Sequence, residues 1–187
     1  MRALVIYESM YGNTHLVADA IVAGLADEGV EAVADPVVDA TRDRMADVDL
    51  MIVGGPTHIH GMSRESTRKA AATEAAKPDN DLYLDPDAEG EGLREWFDRL
   101  PPSTGAAAAF DTRIHKSPTL TGRASKGISK RLRRHGFTEL VDPESFFVDS
   151  DILEAGEEQR ARDWGRHLAR VMSERTESDE ASTPGSW

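Results

Sequence analysis

The chain has 187 residues, of which 39% are hydrophobic and 30% are charged, and this predicts a single folded domain rather than a disordered chain. It contains no cysteine, which excludes disulfides, zinc–thiolate sites and thiol nucleophiles, so any redox chemistry requires a bound cofactor. A formal net charge of −12 argues against nucleic-acid binding. No apolar run is long enough to span a membrane and no signal peptide is recognisable, so we expect a cytoplasmic protein.

Short apolar runs alternate with helical patterns along the chain. The predicted strands are residues 2–7, 31–34, 50–53, 106–110 and 138–148, the last of them interrupted by Pro143. The predicted helices are residues 14–28, 66–76, 92–100, 125–134 and 157–173. This alternation predicts a parallel sheet with helices on both faces.

Two segments are expected to lie outside the core of a domain that spans residues 1–174. Residues 78–91 contain six acidic residues, two prolines and no basic residue, and we expect them to form an exposed insertion. Residues 175–187 are polar, and we expect them to form a flexible C-terminal tail.

The loop after the first strand carries small polar donors and then opens a helix. Main-chain N–H groups at a helix N-terminus bind an anion without help from lysine or arginine, and neither residue occurs between positions 3 and 41. The loop lacks the glycines of a dinucleotide fingerprint and the lysine of a Walker A loop. It therefore suits one terminal phosphate, while ordinary helix capping by Ser, Thr or Asn is the alternative. The residues of this loop are Ser9, Met10, Tyr11, Gly12, Asn13 and Thr14.

Three loops together resemble those of the flavodoxin-like FMN-binding family. The first loop is similar to the one that holds the ribityl phosphate, and it is closest to the variants in flavodiiron proteins and flavodoxin-type quinone reductases. Residues 54–62 resemble the second loop, beside the isoalloxazine ring, and residues 110–113 occupy the place of the third. The resemblance implies an α/β fold, a doubly wound five-stranded parallel sheet in the order 2-1-3-4-5 with helices on both faces.

The resemblance also implies which residues contact FMN. The first loop would hold the phosphate, and two short segments would flank the ring. One segment comprises Pro56, Thr57, His58, Ile59, His60 and Gly61, and the other comprises Asp111, Thr112 and Arg113. Residues 111–124 contain no Phe, Tyr or Trp, so stacking on the ring would fall to His58, His60, His115 or Tyr11.

Three functions remain open from the sequence. The first is electron transfer between redox partner proteins through bound FMN, and the second is an FMN-dependent NAD(P)H:quinone-type reductase. The third is an FMN-free interaction module with the same fold. Because no nicotinamide-binding run is visible, we expect an electron carrier rather than an enzyme with its own substrate, and no catalytic residue is assigned.

Two further patterns bear on partners and metals. Residues 112–138 contain eight Lys and Arg residues and no acidic residue. This segment is either a solvated helix face or a docking surface for an acidic partner or a phosphorylated cosubstrate. Arg113 and Lys116 are also placed to neutralise a reduced, anionic flavin. His58 and His60 have H-x-H spacing, but no third ligand is evident, so no metal site is expected.

Overall fold

The computed structural model describes residues 1–58, 61–77 and 82–181, and within them eight strands form one sheet. The strands are β1 (Arg2–Tyr7), β2 (Glu31–Pro36), β3 (Leu50–His58), β4 (Gly61–Met62), β5 (Ala106–Ile114), β6 (Thr138–Glu139), β7 (Glu144–Asp149) and β8 (Ile152–Leu153). The helices are α1 (Asn13–Asp27), α2 (Arg42–Met45), α3 (Glu65–Ala75), α4 (Leu93–Arg99), α5 (Pro118–Thr121), α6 (Ala124–Arg134) and α7 (Glu157–Ala181). A single 3₁₀ turn covers Val37–Asp39.

The sheet has the predicted parallel order. Strands β2, β1, β3, β5 and β7 are adjacent and parallel, which is the order 2-1-3-4-5 for the five predicted strands. The fifth predicted strand is interrupted at Pro143, as expected, and its two parts are β6 and β7. Two short antiparallel additions, β4 on β3 and β8 on β7, were not predicted.

Helices cover both faces of the sheet. On one face α1 and α7 pack on the sheet through side chains that include Val17, Ile21 and Leu168. On the other face α4 and α6 pack on it through Trp96 and Ile128. Since β1 and β3 are buried on both faces, their sequences read as continuous apolar runs rather than alternating ones. The predicted fold class is therefore confirmed.

Two glycines allow the close packing of α1 against α7. A Cβ at Gly24 would lie 1.9 Å from the main-chain oxygen of Arg162, and one at Gly165 would lie 2.4 Å from that of Ile21. Neither distance is compatible with a side chain. The two helices thus approach each other along their backbones.

Several predicted boundaries differ from the structure. Strands β3 and β5 run on to His58 and Ile114, so most of the expected second loop and residues 111–113 of the expected third loop are strand rather than loop. Helix α7 continues to Ala181 instead of ending at Ser173, so residues 175–181 of the expected flexible tail are helical. Residues 182–187 lie outside the described part of the chain.

The acidic segment 78–91 is attached to the body of the protein where it is described. Asp85 and Ala88 are 3% and 2% exposed, and the main-chain N–H of Asp85 donates to the Met10 carbonyl oxygen at 2.8 Å. The expectation of an exposed insertion is wrong at these two residues, although Tyr83 is exposed. Residues 78–81 lie outside the described ranges. Among the helices described, none is both long and apolar enough to cross a membrane.

Candidate functional site

A cleft opens at the carboxyl edge of the sheet, between the ends of β3 and β5 and the start of α1. Its free volume is about 170 Å³. The lining residues are Met10, Tyr11, Asn13, Thr14, Pro56, Thr57, His58, Thr112, Arg113, Ile114, Val148 and Ser150. This is the edge at which open α/β sheets bind their ligands.

Most of the expected site residues meet in this cleft, but some do not. Gly61 lines a neighbouring cavity of about 390 Å³, which shares His58 with the cleft. Ser9, Gly12 and Asp111 are not among the residues that line the cleft. Ile59 and His60 lie outside the described residues. The sequence did not indicate Ile114, Val148 or Ser150, which complete the cleft wall.

The first turn of α1 has no side-chain cap. Gly12 precedes the helix with a left-handed φ of 83°, and no side chain accepts a hydrogen bond from the exposed end of the helix. A left-handed residue at this point turns successive N–H groups toward one side of the loop, and glycine adopts that conformation without strain. The alternative of ordinary helix capping is therefore wrong for this loop.

Ser9 provides an unused hydroxyl in the same loop. Its side chain is buried, and its Oγ has no hydrogen-bond partner among the described residues. A buried hydroxyl without a partner is unfavourable by about 1–3 kcal/mol, so such groups in proteins usually face a ligand or water.

The side chains of Asn13 and Thr14 already bond to protein. Asn13 Nδ2 donates to the Asp151 carbonyl oxygen at 2.7 Å, and the hydroxyls of Thr14 and Thr112 are 2.8 Å apart. In a hydroxyl pair only one proton lies between the oxygens, so the second proton remains available to a ligand. The main-chain N–H groups of the turn, rather than the Asn13 amide, are thus the free donors.

Asp111 supports the site from behind. It is fully buried, and its Oδ2 accepts from the main-chain N–H of Ser125 at 2.8 Å and from the hydroxyl of Thr57 at 3.1 Å. The same hydroxyl accepts from the N–H of Ala124 at 2.9 Å. A carboxylate at a helix N-terminus is favourable because it faces the positive end of the helix dipole. Asp111 therefore fixes α6 to β5 and does not line the cleft, contrary to expectation.

Arg113 places a buried positive charge at the cleft. Its guanidinium donates from Nη1 to the Lys116 carbonyl oxygen at 2.7 Å and lies 4.9 Å from the centre of the Phe147 ring. Burial lowers the pKa of Arg113, while Asp111 raises it and Arg123 lowers it. The group remains a cation at neutral pH, because the pKa of an arginine side chain lies far above neutrality.

Solved structures of other proteins share this architecture. A flavodoxin from the domain Archaea matches with a TM-score of 0.64 at 20% identity, over 92% of this chain and 99% of that one. The chain has a flavodoxin-like fold. Oxidised Flavodoxin 1 from Bacillus cereus gives 0.61 at 17% identity, over 91% and 98% of the two chains. The flavodoxin, WrbA-like protein from Agrobacterium tumefaciens gives 0.54 at 19% identity, over 92% and 98%. No protein-family model matches the chain, and no curated protein matches it in sequence.

One aromatic ring near the cleft of this flavodoxin-like fold comes from β7. The ring of Phe147 stacks on His115, with centroids 4.0 Å apart and planes 8° from parallel. We expected His115 as one of the residues that stack on a ligand. It stacks on Phe147 instead and does not line the cleft. Tyr11 and His58 do line it. Burial raises the pKa of Tyr11, as do the charges of Glu74 and Asp151, so its phenol stays protonated.

A buried carboxylate directly follows β1. Glu8, the residue after β1, accepts from the main-chain N–H of Leu93 at 2.9 Å and from the hydroxyl of Ser63. Arg68 donates to Ser63 Oγ at 3.1 Å and to Glu95 at 3.1 Å. These contacts tie β1 to the starts of α3 and α4. Within the described ranges, no group of three His, Asp or Glu residues is arranged to hold a metal ion.

Proposed function

We propose that this chain binds FMN in the cleft at the carboxyl edge of the sheet and serves in electron transfer. The observation that carries the proposal is the uncapped first turn of α1, which follows left-handed Gly12 and the buried, unpaired hydroxyl of Ser9. This arrangement supports a site for one phosphate built from neutral donors.

The residues present fit such a phosphate. The donors are the main-chain N–H groups after Gly12, the Ser9 hydroxyl, and the second proton of the Thr14–Thr112 pair. None of these donors is charged. The phosphate would be held by directed hydrogen bonds and the helix dipole, and each hydrogen bond to a charged oxygen contributes about 1.5–3 kcal/mol.

The walls of the cleft fit a flat ring system. Pro56, Thr57 and His58 form one side, and residues 112–114 with Val148 form the other. The two sides belong to strands β3 and β5, which are paired in register with Pro56 beside Thr112. When bound, FMN would supply the electron-transfer chemistry, and the chain would supply binding and electrostatics.

The first experiment is a titration of the protein with FMN, followed by the quenching of flavin fluorescence. We expect one FMN per chain, with riboflavin bound much more weakly because it lacks the phosphate. FAD should bind no better than FMN, since the site suits a terminal phosphate. Absence of quenching with the protein in large excess would refute the proposal.

Ser9→Ala tests the phosphate site directly. The variant should weaken FMN binding by about 1.5–3 kcal/mol and leave riboflavin binding nearly unchanged. Ser145→Ala is a matched control because Ser145 is also buried with an unpaired Oγ but lies in β7 rather than in the loop before α1. Equal effects of the two variants would show that Ser9 does not face the phosphate.

A carrier and a reductase differ in what they do with NAD(P)H. The carrier proposal predicts no steady NAD(P)H-dependent reduction of quinones by the FMN-loaded protein alone. Rapid turnover in that assay would establish the reductase instead. The same preparation, reduced chemically, should pass electrons to a one-electron acceptor protein.

A further inference from the structure

Most of the positive side chains that the structure describes fall into two groups. In the first group each cation forms an ion pair, as in Arg162 and Arg166 with Asp27. In the second group no ion pair is found among the described residues, and most of its members lie between positions 64 and 134. We define the α4–α6 cationic surface as six members of that second group, namely Arg64, Arg94, Lys126, Lys130, Arg131 and Arg134.

Helix α6 contributes one face of this surface. Lys126, Lys130 and Arg134 follow each other at four-residue spacing, and all three are exposed, while Ile128 and Leu132 are buried against the sheet. Like charges at this spacing disfavour the helix. Lys126 and Lys130 therefore cost α6 stability, whereas Arg134 lies in the last turn, where the helix dipole favours a cation.

Helix α4 and the start of α3 extend the surface. The pKa of Arg131 is lowered by burial and by the positive charges of Arg94 and Arg134. The negative charge of Asp98 raises it. The two helices are adjacent, because the ring of His135, directly after α6, stacks on that of Phe97 in α4 with centroids 6.0 Å apart. Asp98 is exposed and is the carboxylate that opposes these positive charges, whereas Glu95 and Glu65 are already paired with Arg68 and Lys69.

The surface borders the cleft. Arg94 is fixed beside β4, because its Nε donates to the Ser63 carbonyl oxygen at 2.7 Å and its Nη2 donates to that of Met62 at 3.0 Å. Arg94 and Arg64 line the 390 Å³ cavity together with His58. His58 also lines the main cleft, so a protein seated on the cationic surface would approach the cofactor site.

We propose that the α4–α6 cationic surface is the docking site of an acidic one-electron redox protein. The chain has a net charge of −12, and this surface is a positively charged exception to it. The surface therefore favours a partner whose contacting face is negatively charged. The electron-transfer step of this proposal rests on the proposed function, whereas the docking itself does not. In that step the reduced partner loses one electron and the bound flavin gains it.

Binding is measured first, with a plant-type [2Fe–2S] ferredoxin as the acidic probe, on both the FMN-free and the FMN-loaded protein. Affinity is expected to fall steeply between about 0.01 M and 1 M salt, because the Debye length shrinks from roughly 30 Å to 3 Å. The double variant Lys126→Glu/Lys130→Glu is expected to bind the ferredoxin at least about tenfold more weakly at low salt. Because binding does not require FMN, this measurement stands even if the chain proves unable to hold the cofactor.

Arg42→Glu is the matched control. Arg42 is exposed on α2, has no ion pair among the described residues, and lies near the amino ends of the strands, where it shares a cavity with Phe137. Its charge reversal equals that of either lysine substitution alone and half that of the double variant, and we expect its affinity for the ferredoxin to stay within about twofold of the unchanged chain.

Electron transfer is the second measurement. Reduced ferredoxin is mixed with FMN-loaded protein in a stopped-flow instrument, and the rate of flavin reduction should fall in the double variant but not in Arg42→Glu. FMN affinity should be equal in all three proteins. Equal ferredoxin affinities of the double variant and Arg42→Glu, or tighter binding of the basic protein cytochrome c than of ferredoxin at low salt, would overturn the docking site.

Discussion

The hydroxyl oxygens of Thr14 and Thr112 lie 2.8 Å apart in the interior of the protein, although 98 positions separate them in the chain. Thr14 is in the first turn of α1 and Thr112 is in β5, so the contact ties the first loop to the opposite wall of the cleft. Both side chains are at most 4% exposed. The pair thus holds the two sides of the candidate site at a fixed separation.

Replacing either threonine by the isosteric valine should destabilise the FMN-free protein by about 1–3 kcal/mol, because the remaining hydroxyl is buried without a partner. The double variant Thr14→Val/Thr112→Val should lose less than the sum of the two single variants. Urea unfolding of the four proteins measures the coupling. Additive effects would show that the two hydroxyls do not bond in solution.

Local sequence patterns were sufficient to predict the strands, and the resemblance to a known family implied their order. Strand β1 is apolar throughout, and Gly12 and Ser9 stand between it and an amphipathic helix, so their positions follow from neighbours in sequence. A pattern of this kind depends on residues a few positions apart. That is why the turn before α1 could be located from the sequence, while anion binding by this loop stays a prediction.

The far ends of β3 and β5 could not be predicted in this way. Asp111, Thr112 and Arg113 are polar, and polar residues after an apolar run normally mark a loop. They are buried in a strand because distant groups bond to them, among them Ser125 N–H and the Thr14 hydroxyl. A single sequence does not show that such partners lie nearby. The β7–β8 turn is different, since Asp149, Ser150 and Asp151 are ordinary turn residues and could have indicated it.

The junction of α1 and α7 should make stability sensitive to acid. The pKa of Asp27 is lowered from 3.8 to about 2. The largest cause is the pair of hydrogen bonds that Arg162 donates to its carboxylate. Burial opposes this shift, and a hydrogen bond from Arg166 adds to it. A carboxyl whose pKa is depressed by folding stabilises the protein above its unfolded value and loses that effect as the pH falls. The contribution of Asp27 should therefore disappear between pH 3.8 and about 2.

The free energy of unfolding of Asp27→Asn, compared with that of the unchanged chain, measures this contribution. The difference should be largest above pH 3.8 and should shrink toward pH 2. Asp43→Asn on α2 is the control, since Asp43 is exposed and has no ion pair among the described residues. A difference that does not change with pH would mean that the arginine contacts do not alter the titration of Asp27.

The end of α7 should be dispensable. Leu168 and Ala169 of this helix are buried, Met172 is partly buried, and Arg170 forms an ion pair with Glu28 at 2.6 Å. Deleting residues 175–187 should leave the melting temperature and the affinity for FMN nearly unchanged. Leu168→Ala, by contrast, should cost about 2–5 kcal/mol of stability. A large drop in melting temperature after the deletion would show that the C-terminal segment packs on the domain.

His58 should give the protein a second, milder pH dependence. Burial lowers the pKa of His58 below its ordinary value of 6.5, because the charged imidazole is poorly solvated between the cleft and the neighbouring cavity. Below pH 6.5 the unfolded chain takes up a proton that the folded chain does not, so stability falls as the pH falls through this range. Above pH 6.5 both states are neutral and the effect vanishes.

His58→Gln should remove this part of the pH dependence while retaining a polar side chain. Unfolding of both proteins between about pH 5 and 7.5 tests it, and NMR titration of the imidazole gives the pKa directly. If FMN occupies the cleft, it should displace more water from His58 and lower the pKa further, so the titration midpoint of the FMN-loaded protein should lie below that of the FMN-free protein. An imidazole that titrates at its ordinary value, with or without FMN, would show that His58 is open to solvent and does not wall the cleft.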